Sequence, residues 1–181
     1  QAEAMTLADH LVVMNHGKIQ QCGHPEKVYH EPENVFVAGF LGNPAMNFVP
    51  CSLSSDGSKM IGDCFEYELP EIFRTTLAGA GHADELIFGI RPECIQVILE
   101  PVDTGIQAEI YVTEALGRET LVTLKCGEQL IKAIMPPNTF LDIGTPVWIT
   151  FDAENVRIFD GDSDQVLVNG SYFEEKEQLP S

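Results

Sequence analysis

The chain has 181 residues, 28 acidic against 10 basic side chains, and a formal charge of −18. That field repels phosphate backbones and anionic headgroups, and the few Lys and Arg form no basic stripe, so nucleic acid is not an expected partner. At 44% hydrophobic residues a packed core is possible throughout, yet no apolar run approaches the roughly 20 residues that cross a bilayer as a helix.

Taken in chain order, residues 1–44 alternate helix and strand. Ala4, Met5, Ala8 and Leu11 fit one face of a short helix. "LVVM" then reads as a buried strand, "NHG" as a tight turn with Gly17 at positive φ, and "KIQQCG" as the returning strand. "HPEKVYHEPENVFVAGFLGNP" holds two short helices with Pro25 and Pro32 at their first positions, where proline loses no needed hydrogen bond. Val35, Phe36, Gly39 and Phe40 share a face and are expected to anchor the second helix, which Gly42 and Pro44 end. A hairpin with short helices normally completes a larger sheet, so this piece is too small to bury its own strands.

From Met46 the texture changes to short β-runs separated by Gly, Pro and Asp. "ELIFGI", "CIQVIL", "GIQAEIYV", "ETLVTLK", "EQLIKAIM", "PVWITF" and "NVRIF" are strands, with Ile106, Ala108, Ile110 and Val112 inward on one and Val147, Ile149 and Phe151 on another. Trp148 takes the opposite face, where either the helix in "LPEIFRTTLAG" or a partner could cover it. Many short strands with turn signals predict a barrel or sandwich. The fold class is therefore mainly β, with a small α/β piece over residues 1–44, a hinge at "GNPAMNFVP", and a β domain over residues 45–181. The tail "FEEKEQLPS" reads as a solvated end.

Few residues suggest chemistry. Cys22, Cys51, Cys64, Cys94 and Cys126 are odd in number, lack a C-x-x-C pair and mostly sit beside apolar residues, so reduced, buried thiols are expected. The five histidines are dispersed, and His24 and His30 lie six apart rather than at helical ligand spacing. No metal is assigned. "DGDSDQ" sets Asp at alternate positions but lacks the closing Glu and flanking helices of a calcium loop, so a polar hairpin turn is expected. A freestanding hydrolase has no nucleophile–base pair to rest on.

Several stretches together resemble the ATPase subunits of bacterial ABC importers, in the maltose, sugar and glycerol-phosphate branch. These are "QAEAMTLADHLVVMNHGKIQQCGHPEKVYHEPENVFVAGFLG", the join "GNPAMNF", "GIRPE" at Gly89–Glu93, "EALGRETLV" at Glu114–Val122, and "FDAENVRIFD" at Phe151–Asp160. They occur in the family's order and spacing. The resemblance implies that residues 1–44 are the end of a nucleotide-binding domain and that residues 45–181 form an OB-like, transport-associated regulatory and dimerising domain. It implies ATP and Mg as cofactors of the parent ATPase, with none in this chain. The chain holds no G-x-x-x-x-G-K-[ST] loop, no signature loop and no switch histidine, so on its own it is not expected to hydrolyse ATP.

The partners the resemblance implies are a second copy of the subunit and membrane permease subunits, on the cytoplasmic face of the membrane. His24 departs from the Thr or Ser cap common in the family, a loss of about 1 kcal/mol or less. No catalytic residue is expected. Gly89, Arg91, Pro92 and Glu93, with Gly117 and Glu119, are the candidate regulatory or interface residues. Each has a plainer reading: a turn with Arg91 paired to Glu93, and a hairpin bend at Gly117. A different function class, a small-oxyanion-binding module, draws only on Ser54, Ser55 and Thr104.

Overall fold

The computed structural model describes residues 1–170, and the tail at 173–181 lies outside them. The N-terminal layer begins with α1 (Ala2–Leu7), followed by β1 (Leu11–Asn15) and β2 (Lys18–Gly23), which pair antiparallel through a turn with Gly17 at φ 77°. Helices α2 (Pro25–His30) and α3 (Val35–Phe40) cover one face of this hairpin. Val13, Val28, Val37 and Leu41 form its small apolar cluster. As expected, Pro25 opens α2 and His24 caps it without a side-chain hydrogen bond.

Helix α3 departs from expectation. Asn34, not Pro32, sets its start: the Asn34 carbonyl side chain accepts the Val37 N–H at 2.9 Å, satisfying one of the first-turn donors. Its buried positions are Val37 and Ala38 rather than Val35, Phe36, Gly39 and Phe40. The helix is wedged between two layers, with Val37 in the N-terminal cluster and Ala38 beside Met46 and Phe159 of the β part. Phe36 and Phe40 instead stack on each other at 5.5 Å, with Phe40 47% exposed.

The β part contains two antiparallel sheets. The six-stranded sheet runs β13 (Val166–Asn169), β12 (Arg157–Asp160), β6 (Leu86–Ile90), β3 (Asn47–Leu53), β4 (Lys59–Gly62) and β5 (Glu66–Glu68). The five-stranded sheet runs β10 (Gln129–Met135), β9 (Thr120–Cys126), β8 (Ile106–Ala115), β11 (Pro146–Thr150) and β7 (Gln96–Ile98). Their inner faces meet in one core that includes Met60, Leu86 and Phe88 from the first sheet and Ile110, Val122, Leu124 and Ile149 from the second. Helix α4 (Glu71–Gly79) lies where the sequence predicts it and buries Phe73 and Leu77. This is the mainly β, OB-like architecture that the strand pattern and the resemblance led us to expect.

Two links tie the sheets together. The buried Asn47 side chain donates to the Lys132 carbonyl and accepts the Lys132 N–H, both at 2.8 Å, imitating a backbone ladder between β3 and β10. Cys64 and Cys126 form a disulfide between the β4–β5 turn and the end of β9. This corrects the expectation of reduced thiols throughout. The two cysteines are 62 residues apart, and only the closure of the barrel brings them together. Cys22 is also exposed rather than buried.

One further side chain differs from the alternation read in the sequence. A bulge between Ile110 and Val112 breaks the register of β8 with β9, so Val112 is 37% exposed. Trp148 takes the face opposite the buried Val147 and Ile149, as expected, and its side chain lies beside Gly105 in the turn before β8. The "DGDSDQ" segment is indeed the β12–β13 turn, with Asp160 as its organiser. The buried Asp160 carboxylate accepts from the Ala83 N–H, and from the Ser163 N–H and hydroxyl and the Asp162 N–H. These bonds hold its pKa down at about 2.

Candidate functional site at the joint between the N-terminal layer and the barrel

Strand β6 ends at Ile90, and Pro92–Cys94 forms a single 3₁₀ turn with Pro92 at its first position. This geometry sends Arg91 inward, away from solvent, toward the N-terminal layer. Arg91 is 4% exposed. Its guanidinium donates to the Leu41 carbonyl at 2.8 Å and the Tyr29 carbonyl at 2.7 Å, and stacks 3.5 Å from the centre of the Tyr29 ring. Those carbonyls belong to the C-terminal ends of α3 and α2, where helices leave acceptors without intrahelical partners. Planar guanidinium suits the place, since one fork can reach two carbonyls and still lie on a ring.

Glu93 does not pair with Arg91, which corrects the plainer reading of "GIRPE". It accepts the Tyr29 hydroxyl at 2.6 Å instead. Tyr29 therefore joins the cation to the carboxylate, with its ring under Arg91 and its hydroxyl on Glu93. Burial pushes the Tyr29 pKa well above its usual value, and the Glu93 hydrogen bond adds to that rise against the opposing pull of Arg91.

A second arginine repeats the arrangement on the neighbouring strand. Arg157 of β12 faces Gly89 of β6 in the ladder and is also 4% exposed. Its Nε donates to the His30 carbonyl at 2.8 Å, and its terminal nitrogen donates to the Glu154 and Val156 carbonyls at 2.7 and 2.9 Å. Burial, with Arg91 nearby, lowers its pKa to about 10, so it stays cationic at neutral pH. His30, half-buried beside both arginines, is held below the usual imidazole range, first by burial and then by Arg157 and Arg91.

Two glycines make room for the joint. Gly42 sits at φ 105°, and a Cβ there would lie 3.0 Å from the Arg91 guanidinium and 3.4 Å from the Tyr29 hydroxyl. Both its backbone and its surroundings call for glycine. Gly89 is needed for close approach, since a Cβ would meet the Phe159 ring at 2.8 Å and the Met46 sulfur at 2.9 Å.

Of the candidate residues, Gly89, Arg91, Pro92 and Glu93 thus lie together at this joint. Gly117 and Glu119 lie elsewhere, at the β8–β9 turn of the other sheet, where Gly117 takes φ 86°. Sequence reasoning did not find Tyr29, His30 or Arg157. Gly42 was read only as a helix stop. Ser54 is engaged within its own hairpin turn, donating to Asp56 at 2.6 Å. Thr104 lines a cavity with the carboxylates of Glu66, Glu68 and Asp103, surroundings that repel an oxyanion. Among the described residues no group of His, Cys, Asp or Glu is placed to hold a metal, and no helix is long and apolar enough to cross a membrane.

A barrel of this kind, latched to a small α/β layer, defines the class of OB-fold domains. Residues 42–95 match the MalK OB fold domain, and residues 88–159 match the TOBE domain. The chain belongs to the family with MalK-type OB fold and TOBE domains, and it matches the C-terminal regulatory part of its relatives, which are import ATP-binding proteins. It is 36% identical to the trehalose/maltose import ATP-binding protein MalK of Thermococcus litoralis, over 88% of this chain and 44% of that protein. It is 38% identical to the oligosaccharides import ATP-binding protein MsmX of Bacillus subtilis, over 91% and 46%. An uncharacterized ABC transporter ATP-binding protein of Bacillus subtilis, YurJ, is 34% identical over 92% and 47%. The chain thus spans somewhat less than half the length of these relatives. A molybdate-bound structure of the cytoplasmic protein ModG is similar at 15% identity and a TM-score of 0.46, over 62% of this chain and 94% of that one, too distant to bear on a ligand.

Proposed function

We propose that this chain is the regulatory and dimerising portion of an importer's ATP-binding subunit, taking up sugars or related solutes with ATP and Mg bound upstream of it. Its partners are a second copy of the subunit and permease subunits at the cytoplasmic face of the membrane. The domain division falls near residue 44. Gly89, Arg91, Pro92 and Glu93 serve the joint between nucleotide-binding and regulatory parts, and Gly117 and Glu119 serve an interface at the far turn. The observation that carries this reading is the pair of buried arginines. Arg91 fastens the end of β6 to the ends of α2 and α3, and Arg157 fastens β12 to the end of α2, so a movement of either part reaches the other through three short hydrogen bonds.

Dimerisation is the testable core of the proposal. Tyr111, Leu116 and Leu130 on β8–β10, with Phe140 and Ile143 just beyond, leave apolar surface exposed. Burial at about 25 cal/mol per Å² over an interface of standard size outweighs the repulsion left by the −18 charge at physiological salt. Light scattering of the full chain should show a dimer that tightens as salt rises from low to about 0.15 M. A chain that stays monomeric at high concentration and all salts would overturn the reading.

A further inference from the structure

Strand β5 ends the six-stranded sheet and pairs only with β4. The Gly62 N–H donates to the Phe65 carbonyl, and the Leu69 N–H to the Ser58 carbonyl, so the odd-numbered residues of this segment point their backbone toward β4. By the alternation of a strand, the N–H and C=O groups of Glu66 and Glu68 point the other way, to a free edge. Across from them, β9 meets β8 only from Glu109 onward. Ile110 exchanges hydrogen bonds with the Thr145 carbonyl and the Gly144 N–H on the β11 side, so Gln107 turns its backbone away from β11. The start of β8 therefore offers a second free edge.

Between these edges lies an open cavity of about 570 Å³, lined by Glu66, Tyr67 and Glu68 on one bank and Thr104, Gly105 and Gln107 on the other. Its floor is aromatic. Tyr67 and Phe151 lie 5.3 Å apart, and Phe65 lines it beside them. The Tyr67 hydroxyl is pushed up to about 12 by its burial. Glu66 is bridged to Lys59 at 3.1 Å, which leaves Glu68 and Asp103 without an ion pair among the described residues.

The geometry points to this cleft as a docking site for an extended, lysine- or arginine-bearing strand of a partner protein. Two open edges offer main-chain hydrogen bonds on both sides of an added strand, and the aromatic floor takes its inward side chains. The carboxylates at the rim settle the occupant by charge. They oppose edge pairing with a second copy, which would set the same carboxylates directly opposite them, while a basic strand neutralises them. This goes beyond the dimer and the joint proposed above and depends on neither.

The test uses the full chain and a blocked peptide, acetyl-KVKVKVK-amide, followed by amide NMR. Binding should shift and protect the Glu66, Glu68 and Gln107 amides. The double variant Glu66→Lys/Glu68→Lys, altered only at exposed positions, should weaken binding by about tenfold or more. The same peptide with alternate residues N-methylated keeps its charge but cannot pair an edge, and should not bind. Equal binding of the methylated peptide, or shifts that miss these three amides, would overturn the proposal. So would spermine shifting them as strongly, which would mean a small-cation site. Protection of the same amides that grows with protein concentration alone would mean a second copy occupies the cleft, and would equally overturn it.

Discussion

The β1–β2 and β8–β9 hairpins are both antiparallel pairs of apolar strands, and they end in opposite circumstances. Strand β9 is buried along its whole length apart from Lys125, and Val122 and Leu124 are fully covered by the opposing sheet. In β1–β2, α2 and α3 cover a single face, and Val12, Met14 and Ile19 are 47%, 54% and 64% exposed. Apolar patterning decides that a strand forms, but a second layer decides what it buries. The barrel supplies its own second layer, whereas the hairpin has only half of one.

The sharpest way to test that contrast is to cut a cavity in each region. Leu124→Ala, at a fully buried site between β8 and β10, should cost about 2–5 kcal/mol in urea unfolding and loosen the whole barrel. Val28→Ala, equally buried but in a four-residue cluster, should act locally. Hydrogen exchange should then quicken at Leu11–Gly23 while Ile106–Leu124 keeps its protection. Wild-type exchange should already be faster in the first segment. Equal protection in both would show that the exposed face of the hairpin has found a cover.

A smaller but more specific effect is expected at the joint. Arg91→Met leaves the Tyr29 and Leu41 carbonyls without their donor and should cost about 2–3 kcal/mol. Arg91→Lys should recover little of it, because an ammonium cannot span both carbonyls while stacking on Tyr29. Exchange at residues 29–41 reports whether the loss falls at the joint. Unchanged rates there, with a weakened barrel, would show that Arg91 supports only β6.

The smallest effect is in pH dependence. His30 has a folded pKa below its unfolded value near 6.5, so between the two the unfolded chain binds more protons and stability rises with pH. Stability should therefore fall as pH drops below about 6.5, first because the charged imidazole is buried and then because it faces Arg157 and Arg91, with Glu26 and Glu93 opposing. In thermal unfolding between about pH 7.5 and 5.5, His30→Gln should lose part of this slope. An unaltered slope would place its origin elsewhere.

Most of the β part was legible because short apolar runs, alternating in β11 and continuous in β9, stand between turn residues, and α4 because Pro70 and its apolar spacing mark it. The errors have physical causes. The bulge in β8 adds one residue that composition does not reveal, and α3 is too short and too crowded by two layers for a single face to show. The site was half legible. "GIRPE" stood out as a segment, but the partners of Arg91 are main-chain oxygens 50 and 62 residues away, which no side-chain pattern announces. Cys64 and Cys126 were missed for the same reason: their meeting is a property of closure.

That the joint grips main-chain oxygen has its own consequence for how the two parts can change. A carbonyl is present whatever residue carries it, so positions 30 and 41 can vary as long as α2 and α3 keep their ends in place. The arginines have no such freedom, and neither does Gly42, where an added Cβ would crowd the Arg91 guanidinium. Variation should therefore be tolerated unevenly across the seam: wide at positions 30 and 41, narrow at Gly42 and at positions 91 and 157.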